Sequence, residues 1–530
     1  MTATRTLTLR APTAIKRLSA ASTAQALLPW AVPVLLLLLW TLAARFGWMS
    51  SQTLPAPSLV WQSAVELGRE DLFSHLWISL QRLIWGLSVG VATGAVLGAT
   101  LGFSSRAERL VFPTFSALAQ IPTLAWIPLF MLLFGIGETL KLVVLVKAVV
   151  VPVTIHTLVG VRDAQPRLRE AAAVLRLPAY LLIWRLVLPA ALPSFMAGLR
   201  LALATGWSSL LAVELLASSE GIGYLMVWGR QLFMLDVVFV CILIIGVVGV
   251  LMERGITLLD RHLLFWPHPP TAEFRRRPVG TGWQRWQPWL LPLGLVAVWQ
   301  TVSAWQWVDS NVLVSPWQVA LTTWEGLRDG TLLTAMGNSL LRALGGLLVG
   351  GGLGFVLGVV LGLSTVSERL LGPSFSALRQ IAIFAWVPLL TAWFGLGELA
   401  KLVFVGLAAF FPLLVATQRG IRNLSPQLGE AAQALRLNLF QRLRLLILPG
   451  ATAAIFAGLR LGLIYAWLGT IGAEYFMASG YGIGTLMIGA QQLFRMDQVM
   501  AAMLLIGFTG AALNALGQFI EARATRWRTA

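Results

Sequence analysis

Residues 108–143 and 368–403 of this chain align without a gap, and 21 of the 36 positions are identical. Residues 170–204 recur at 430–464 at the same spacing of 260, with 16 of 35 positions identical. After Glu214 and Glu474 the spacing grows to 261, because the second copy has one extra residue before its Gly-Ile-Gly. A tandem repeat of this length constrains the fold before any local detail does, since whatever one half forms the other must form too. The repeating unit is built of apolar runs of about 20 residues, the length that crosses a bilayer as a helix.

Each half reads as six spans. They fall at about 28–45, 76–103, 113–135, 138–160, 190–216 and 232–253, and again at about 287–305, 336–363, 373–395, 398–418, 450–476 and 495–519. Only 12% of the residues are charged, too few to solvate a soluble surface of this size. The expected fold is all-α, a polytopic membrane protein of about 12 transmembrane helices in two tandem six-helix units. The units are placed at 28–258, with a core at 75–255, and at 287–520, with a core at 335–517. Residues 1–27 and 521–530 are expected as cytoplasmic tails. Segment 259–286, with Pro267, Pro269, Pro270 and Arg275-Arg276-Arg277, reads as a basic, non-helical linker.

An even number of spans gives both halves one orientation. With the N-terminus inside, the cytoplasmic segments hold 26 of the 39 Lys and Arg residues, which the positive-inside bias favours over the inverse. The same bias accounts for the net charge of +17 with no nucleic-acid partner. Arg5, Arg10, Lys16 and Arg17 before an apolar run resemble a signal peptide, but the run Leu27–Ala44 is long enough to span and reads as a retained first helix. A lone Cys241 and four histidines without ligand spacing point to no disulfide and no metal site.

Between the fourth and fifth spans of each half lies a polar segment. It reads EAAAVLRL at Glu170–Leu177, followed by Leu188-Pro189, and EAAQALRL at Glu430–Leu437, followed by Leu448-Pro449. Ser425-Pro426 is a helix start, a hydroxyl N-cap and then proline at the first helical position. Leu428, Ala431, Ala432 and Leu435 then share one helical face, while Glu430 and Arg436 point elsewhere. The first copy repeats the pattern with Pro166, Leu168, Ala171, Ala172 and Leu175, flanked by Arg167, Arg169 and Arg176. Alanines admit close approach of another surface, and the charges can fix its register. A single copy would fit an amphipathic helix on lipid headgroups equally well. The duplication of EAA, LRL and LP together favours docking of a separate protein.

The EAA segment, its LP pair and the GLRL that follows at Gly198–Leu201 and Gly458–Leu461 resemble the cytoplasmic loop of the permease subunits of ATP-driven importers, of the type I ABC class. A second duplicated motif is similar to that of the nitrate, taurine and alkanesulfonate permease group: Gln120–Pro128 with Phe134–Glu138, and Gln380–Pro388 with Phe394–Glu398. The resemblance covers almost the whole chain and implies two permeases fused into one, so that no second permease is needed. It also implies two ABC ATPase subunits on the cytoplasmic face, an extracytoplasmic solute-binding protein, and a multi-pass place in the bacterial inner membrane. The docking residues it implies are Glu170, Ala171, Ala172, Leu175, Arg176 and Pro189, with Glu430, Ala431, Ala432, Leu435, Arg436 and Pro449. Its implied substrates are small anions such as sulfonates, sulfate esters or nitrate, although the group also includes permeases for vitamin precursors. This chain has Arg176 and Arg436 where the family usually has glycine. Pro178 is expected to end the helix in the first copy, and Asn438, which tolerates a left-handed backbone, to turn it in the second.

No G-x-x-x-x-G-K-[ST] phosphate loop occurs, so ATP is expected on the partner and no cofactor in this chain. No nucleophile–base pair suggests an enzyme. Proline and bulky aromatics interrupt the third span of each half, and broken helices are tolerated where backbone lines a cavity or is buried in protein. Gln120, Trp126, Gln380 and Trp386 are accordingly placed near a central pathway, with plain helix packing the other reading. Pro122 becomes Ala382 in the second copy, so a kink is expected only in the first. Lys147 and Arg379 align with Leu407 and Ala119 and are thus one-sided. Either they line the pathway for an anion, or they snorkel or pair with a nearby acid. Arg82, Arg342, Arg200 and Arg460 are read as span-end anchors. Glu214 and Glu474 are read either as part of an outer gate or binding-protein contact, or as headgroup-level caps. The competing class is an ion-gradient-driven carrier with two six-span halves, which predicts paired intramembrane acids and gives no reason for two EAA helices.

Overall fold

The computed structural model describes residues 20–162, 174–266, 286–307 and 313–526. In the first half the principal helices are α1 (Ala20–Arg45), α2 (Pro57–Arg69), α3 (Leu72–Phe103), α4 (Ser105–Ala119), α5 (Ile127–Phe134), α6 (Glu138–Arg162), α7 (Leu188–Ala217), α8 (Ile222–Gln231) and α9 (Leu235–Leu263). The second half repeats them as α10 (Gln287–Ala304), α11 (Pro316–Arg328), α12 (Thr331–Gly346), α13 (Gly352–Leu363), α14 (Thr365–Gln380), α15 (Val387–Phe394), α16 (Glu398–Arg422), α17 (Pro426–Ala434), α18 (Leu448–Phe476), α19 (Ile483–Gln492) and α20 (Met496–Ala524). Here α12 and α13 together match α3, joined by a wide π turn at Leu347–Gly351, and the segment that corresponds to α17 lies outside the described residues. Among the described residues nine helices are long and apolar enough to cross a membrane, or eleven if each bent pair described below counts as one. The expected span at 287–305 forms as α10, an 18-residue helix that contains Pro292 and is less apolar than those.

The interruption expected in each third span is a near-right-angle bend, and the last spans are longer than expected. The third spans are not straight crossings: α4 and the helix from Thr123 to Phe134 meet at 92°, and α14 meets the helix from Ile383 to Phe394 at 93°. The last span of each half also runs past its expected end, to Leu263 and Ala524. Those extensions carry ion pairs to the fifth span. Arg200 faces Glu253 at 3.7 Å and Asp260 at 3.5 Å, and Arg460 meets Glu521 at 2.9 Å. Arg200 and Arg460 therefore tie two helices together.

The tightest packing follows from a glycine row. Gly86, Gly90, Gly94, Gly98 and Gly102 recur every fourth residue on α3 and face Leu145, Val149, Val153, Thr157 and Val161, also every fourth residue, on α6. Lipid tails offer no hydrophobic drive for helices to associate, so close van der Waals contact between small residues supplies it. At Gly98 an added Cβ would lie 2.6 Å from the Thr154 carbonyl oxygen, closer than atoms can approach. Gly346, Gly350, Gly354, Gly358 and Gly362 repeat the row against α16.

The halves interlock. Helix α1 of the first half packs on α14 of the second, and α10 of the second packs on α4 of the first. Leu35 to Leu38 of α1 are more than half exposed, as expected of side chains that meet lipid.

Candidate docking and translocation sites

The docking segment is described fully only in the second half; Glu170, Ala171 and Ala172 lie outside the described residues. Helix α17 starts at Pro426, as the serine-proline pair predicts, and contains Glu430, Ala431 and Ala432. Glu430 is exposed, Ala432 is buried and Leu435 is 71% exposed, so the apolar face is only partly covered. The helix ends in a Schellman turn: the Leu437 amide donates to the Ala432 carbonyl and the Arg436 amide to that of Gln433, each at 3.0 Å. That turn requires a left-handed residue, and Arg436 takes it with φ +48°. Asn438 does not make the turn. It caps the next short helix, its side chain accepting from the Gln441 amide at 2.8 Å while its own amide donates to the Gln441 side chain at 3.1 Å. In the first half Arg176 has the same φ of +48°, so the left-handed position falls on the arginine there too. Leu175 and Arg176 are exposed beside it. Pro189 and Pro449 are half-buried, each directly after a π turn (Leu182–Val187 and Leu443–Ile447) through which the helix continues into α7 and α18.

The kink in the third span is present twice. Pro122 has φ −52° and ψ 145°, and Ala382 has φ −58° and ψ 135°, so alanine adopts the same extended step without the ring. What holds both breaks is the opposite half. Gly507 and Gly510 of α20 receive Ile121 and the Gln120 carbonyl, and Gly246 and Gly249 of α9 receive Ile381 and the Gln380 carbonyl. Leu124 and Phe384 meet at Gly472 of α18. The two breaks thus form much of the contact between halves. The duplicated Gly-x-x-G at 246–249 and 507–510 was a legible signal for it, visible once the copies were aligned beyond Glu214 at the 261 spacing.

Gln120, Trp126, Gln380 and Trp386 are all half-buried at these breaks. The indole N–H of Trp126 is buried with no hydrogen-bond partner among the described residues. Lys147 belongs to the first break: its ammonium donates to the Ile121 carbonyl at 2.8 Å and the Thr123 hydroxyl at 3.3 Å, and lies 5.6 Å from the Trp126 ring centre. A helix interrupted in apolar surroundings leaves carbonyls unpaired, and a cation is a good partner for them. Arg379 is not brought to Lys147's break; it lines a cavity between α13, α14 and α16 of the second half.

Glu214 and Glu474 are sealed inside the protein, 1% and 0% exposed, which excludes headgroup-level capping. Arg82, 5% exposed, donates to Glu214 at 2.8 Å and grips Glu138 with its other two nitrogens at 2.8 and 2.6 Å. Ser79 donates to Glu214, and the Gly223 amide donates to its other oxygen at 3.1 Å. The second half repeats this clasp with Arg342, Glu398, Glu474, Ser339 and the Gly484 amide. Arg82 and Arg342 are therefore not lipid-facing anchors. The clasp also explains the duplicated Gly-Ile-Gly. An added Cβ at Gly223 would lie 2.6 Å from the Glu214 Cβ, and one at Gly484 would lie 3.0 Å from that of Glu474.

A family model described as binding-protein-dependent transport system inner membrane component matches residues 90–264 and again 350–528. The putative aliphatic sulfonates transport permease protein SsuC of Bacillus subtilis is 36% identical over 260 residues, 48% of this chain and 93% of its own length. The Escherichia coli protein of the same description is 38% identical over 253 residues, 48% of this chain and 96% of its own. The taurine transport system permease protein TauC of Escherichia coli is 32% identical over 237 residues, 44% of this chain and 86% of its own. Each relative thus matches about half of this chain across nearly its own full length, as two fused copies require. With the family model matching twice and covering more than half of the residues, the chain belongs to the inner-membrane components of binding-protein-dependent transport systems, as a tandem, multi-pass permease and not an enzyme.

Proposed function

We propose that this chain is the complete membrane pathway of an ATP-driven importer for small organic anions, with sulfonates such as taurine the first candidates. Two ATPase subunits grip α17 and its first-half counterpart, an extracytoplasmic binding protein delivers the substrate, and both termini face the cytoplasm. ATP itself sits on the ATPase subunits, with no cofactor held by this chain. The observation that carries this reading is the pair of interlocked breaks at Gln120–Ile121 and Gln380–Ile381, each seated on the other half's glycines. In a membrane, non-helical backbone persists where protein covers it or where it lines a cavity. The central position of these breaks supports a pathway along Gln120, Trp126, Gln380 and Trp386. The unpaired indole N–H of Trp126 supplies a donor an anion could use. The swapped packing of α1 and α10 supports a self-sufficient pair with no second permease.

In the mechanism this implies, closure of the ATPases draws the docking helices together and rocks the halves about the breaks. Lys147 keeps the first break in shape rather than ligating substrate. The buried clasps at Glu214 and Glu474 hold the α7–α8 and α18–α19 turns against α3 and α12, and serve as rigid struts of the outer gate. The substrate class follows the descriptions of the relatives, which name aliphatic sulfonates and taurine.

The experiment is uptake of radiolabelled taurine and an alkanesulfonate into proteoliposomes containing this chain, its ATPase and its binding protein. Uptake is expected to require ATP and to be lost, together with ATPase co-purification, in a Glu170→Arg plus Glu430→Arg variant. Unchanged co-purification and uptake in that variant would remove the docking assignment. Uptake driven by an ion gradient without ATP would replace the whole reading with a secondary carrier.

A further inference from the structure

The second half contains a cavity of about 300 Å³ between α13, α14 and α16, lined by Glu368, Arg379, Gln418, Arg419 and Arg422 among others. Three guanidiniums face one carboxylate. Arg422 is committed: it meets Glu368 at 2.5 Å and donates to the Leu361 carbonyl at 3.0 Å. Arg379 and Arg419 are exposed and line the cavity, and their guanidiniums have no hydrogen-bond or ion-pair partner among the described residues. They lie close enough to repel each other, and the compensating acid within range, Glu253 of α9, already faces Arg200. Like charges held together with nothing between them raise the free energy of the empty site, and a bound anion removes that cost.

The feature is confined to one half. At the positions of Arg379, Gln418 and Arg419 the first half has Ala119, Leu158 and Val159, and Asp163 stands where the second has Asn423. A role in building the two-fold fold would be needed in both halves, and the first half forms α3, α4 and α6, the counterparts of the helices around the cavity, without it. The cavity also adjoins the second docking helix. Only Asn423, Leu424 and Ser425 separate Arg422 at the end of α16 from the start of α17.

We propose that this cavity is a binding site for a tetrahedral oxyanion, the sulfate, sulfonate or phosphate-type group that forked guanidiniums recognise with paired hydrogen bonds. It lies at the root of the second docking helix and is distinct from the breaks. Its volume holds such a group with room for an attached chain, so the source is either a free anion or a phospholipid headgroup. Its cytoplasmic location rests on the importer reading; the binding itself does not.

The test measures both sources on the full chain. Equilibrium dialysis with radiolabelled inorganic sulfate at constant ionic strength, on protein stripped of lipid in detergent, reads the free anion. Native mass spectrometry from nanodiscs of phosphatidylcholine with or without phosphatidylglycerol reads the headgroup. The informative variant is Arg379→Ala with Arg419→Val, which installs the first half's own residues. It is expected to lower sulfate affinity or phosphatidylglycerol retention at least tenfold. Arg379→Lys with Arg419→Lys, which keeps the charge and loses the fork, is expected to fall between it and wild type. Loss of sulfate binding assigns the site to a free anion, and loss of lipid retention assigns it to a headgroup. If wild type binds neither, or if both ligands bind the Ala/Val variant as they bind wild type, the proposal is wrong. A chain that binds sulfate here and still fails to import in proteoliposomes would count against the importer reading alone.

Discussion

The Arg82 guanidinium and the Glu214 carboxylate meet at 2.8 Å in a place where the two side chains are 5% and 0% exposed. In such surroundings a pair contributes little net stability, because desolvation offsets much of the attraction, but losing one partner is costly. Arg82→Ala is therefore expected to destabilise the chain by about 3–5 kcal/mol. Arg82→Met with Glu214→Met should recover most of that loss. Thermal unfolding in detergent checks both, and a double variant no better than the single one would show that the clasp does more than satisfy buried charge.

The left-handed backbone at Arg436 makes a second prediction. A non-glycine residue pays about 1–2 kcal/mol there, of which glycine's extra unfolded-state freedom takes back part, so Arg436→Gly is expected to stabilise the turn by roughly 0.5–1 kcal/mol. Asn438→Gly should bring no such gain, since Asn438 is a cap, and Asn438→Ala should cost about 1 kcal/mol. Hydrogen exchange at the Leu437 and Gln441 amides separates these effects. Faster exchange at Leu437 in Arg436→Gly would contradict the assignment.

Seating of the breaks on glycine pairs is testable by side-chain size. A Cβ at Gly507 would lie 2.6 Å from Ile121, and one at Gly246 would lie 3.1 Å from Ile381. Gly507→Val is expected to reduce uptake by more than tenfold, with expression near wild type and the effect greater than for Gly246→Val. Gly255, which among the described residues has nothing within 4 Å of an added Cβ, is the control and should tolerate valine. Equal uptake by all three variants would mean that the breaks do not need this fit.

Removing the Lys147 ammonium strands the Ile121 carbonyl. Lys147→Leu copies Leu407 of the other half but leaves the carbonyl unpaired, and a buried acceptor without a partner costs about 1–3 kcal/mol. The expected result is a lower melting temperature with an unchanged KM for the transported anion. A raised KM at unchanged stability would instead make Lys147 a ligand in the pathway.

Gly98→Leu tests the glycine row directly. Its Cβ would press on the Thr154 carbonyl, so α3 and α6 must separate, and overpacking of this kind typically costs 1–3 kcal/mol. Loss of detergent-resistant folding on a denaturing gel would register it. Unchanged mobility would show that the two helices separate easily.

Several features were legible in the sequence. The repeat, the apolar spans and the EAA segments depend on local composition and self-similarity, and the helices form where those patterns lie. The helix start at Pro426 is equally local, since proline at the first position acts on its own backbone. Other readings failed for a common reason. Ala382 was expected to remove a kink because proline is a strong local cause, but the step survives because Gly246 and Gly249 hold it from the other half. Arg82 read as a span-end anchor, and headgroup-level capping stood as one reading of Glu214, because nothing local says that they face each other across 132 residues.

What the sequence determined by itself is therefore the kind of protein and its twofold plan, because span length, charge bias and repetition are properties of the chain read along its own length. The tertiary structure decided which charges are buried partners, which residue takes the left-handed turn, and which half holds each break. It also decided that Arg379 and Arg419 share a cavity, while Lys147 is spent on a carbonyl. Those outcomes depend on distances between helices remote in sequence, where a single close contact outweighs the local preference of any one residue.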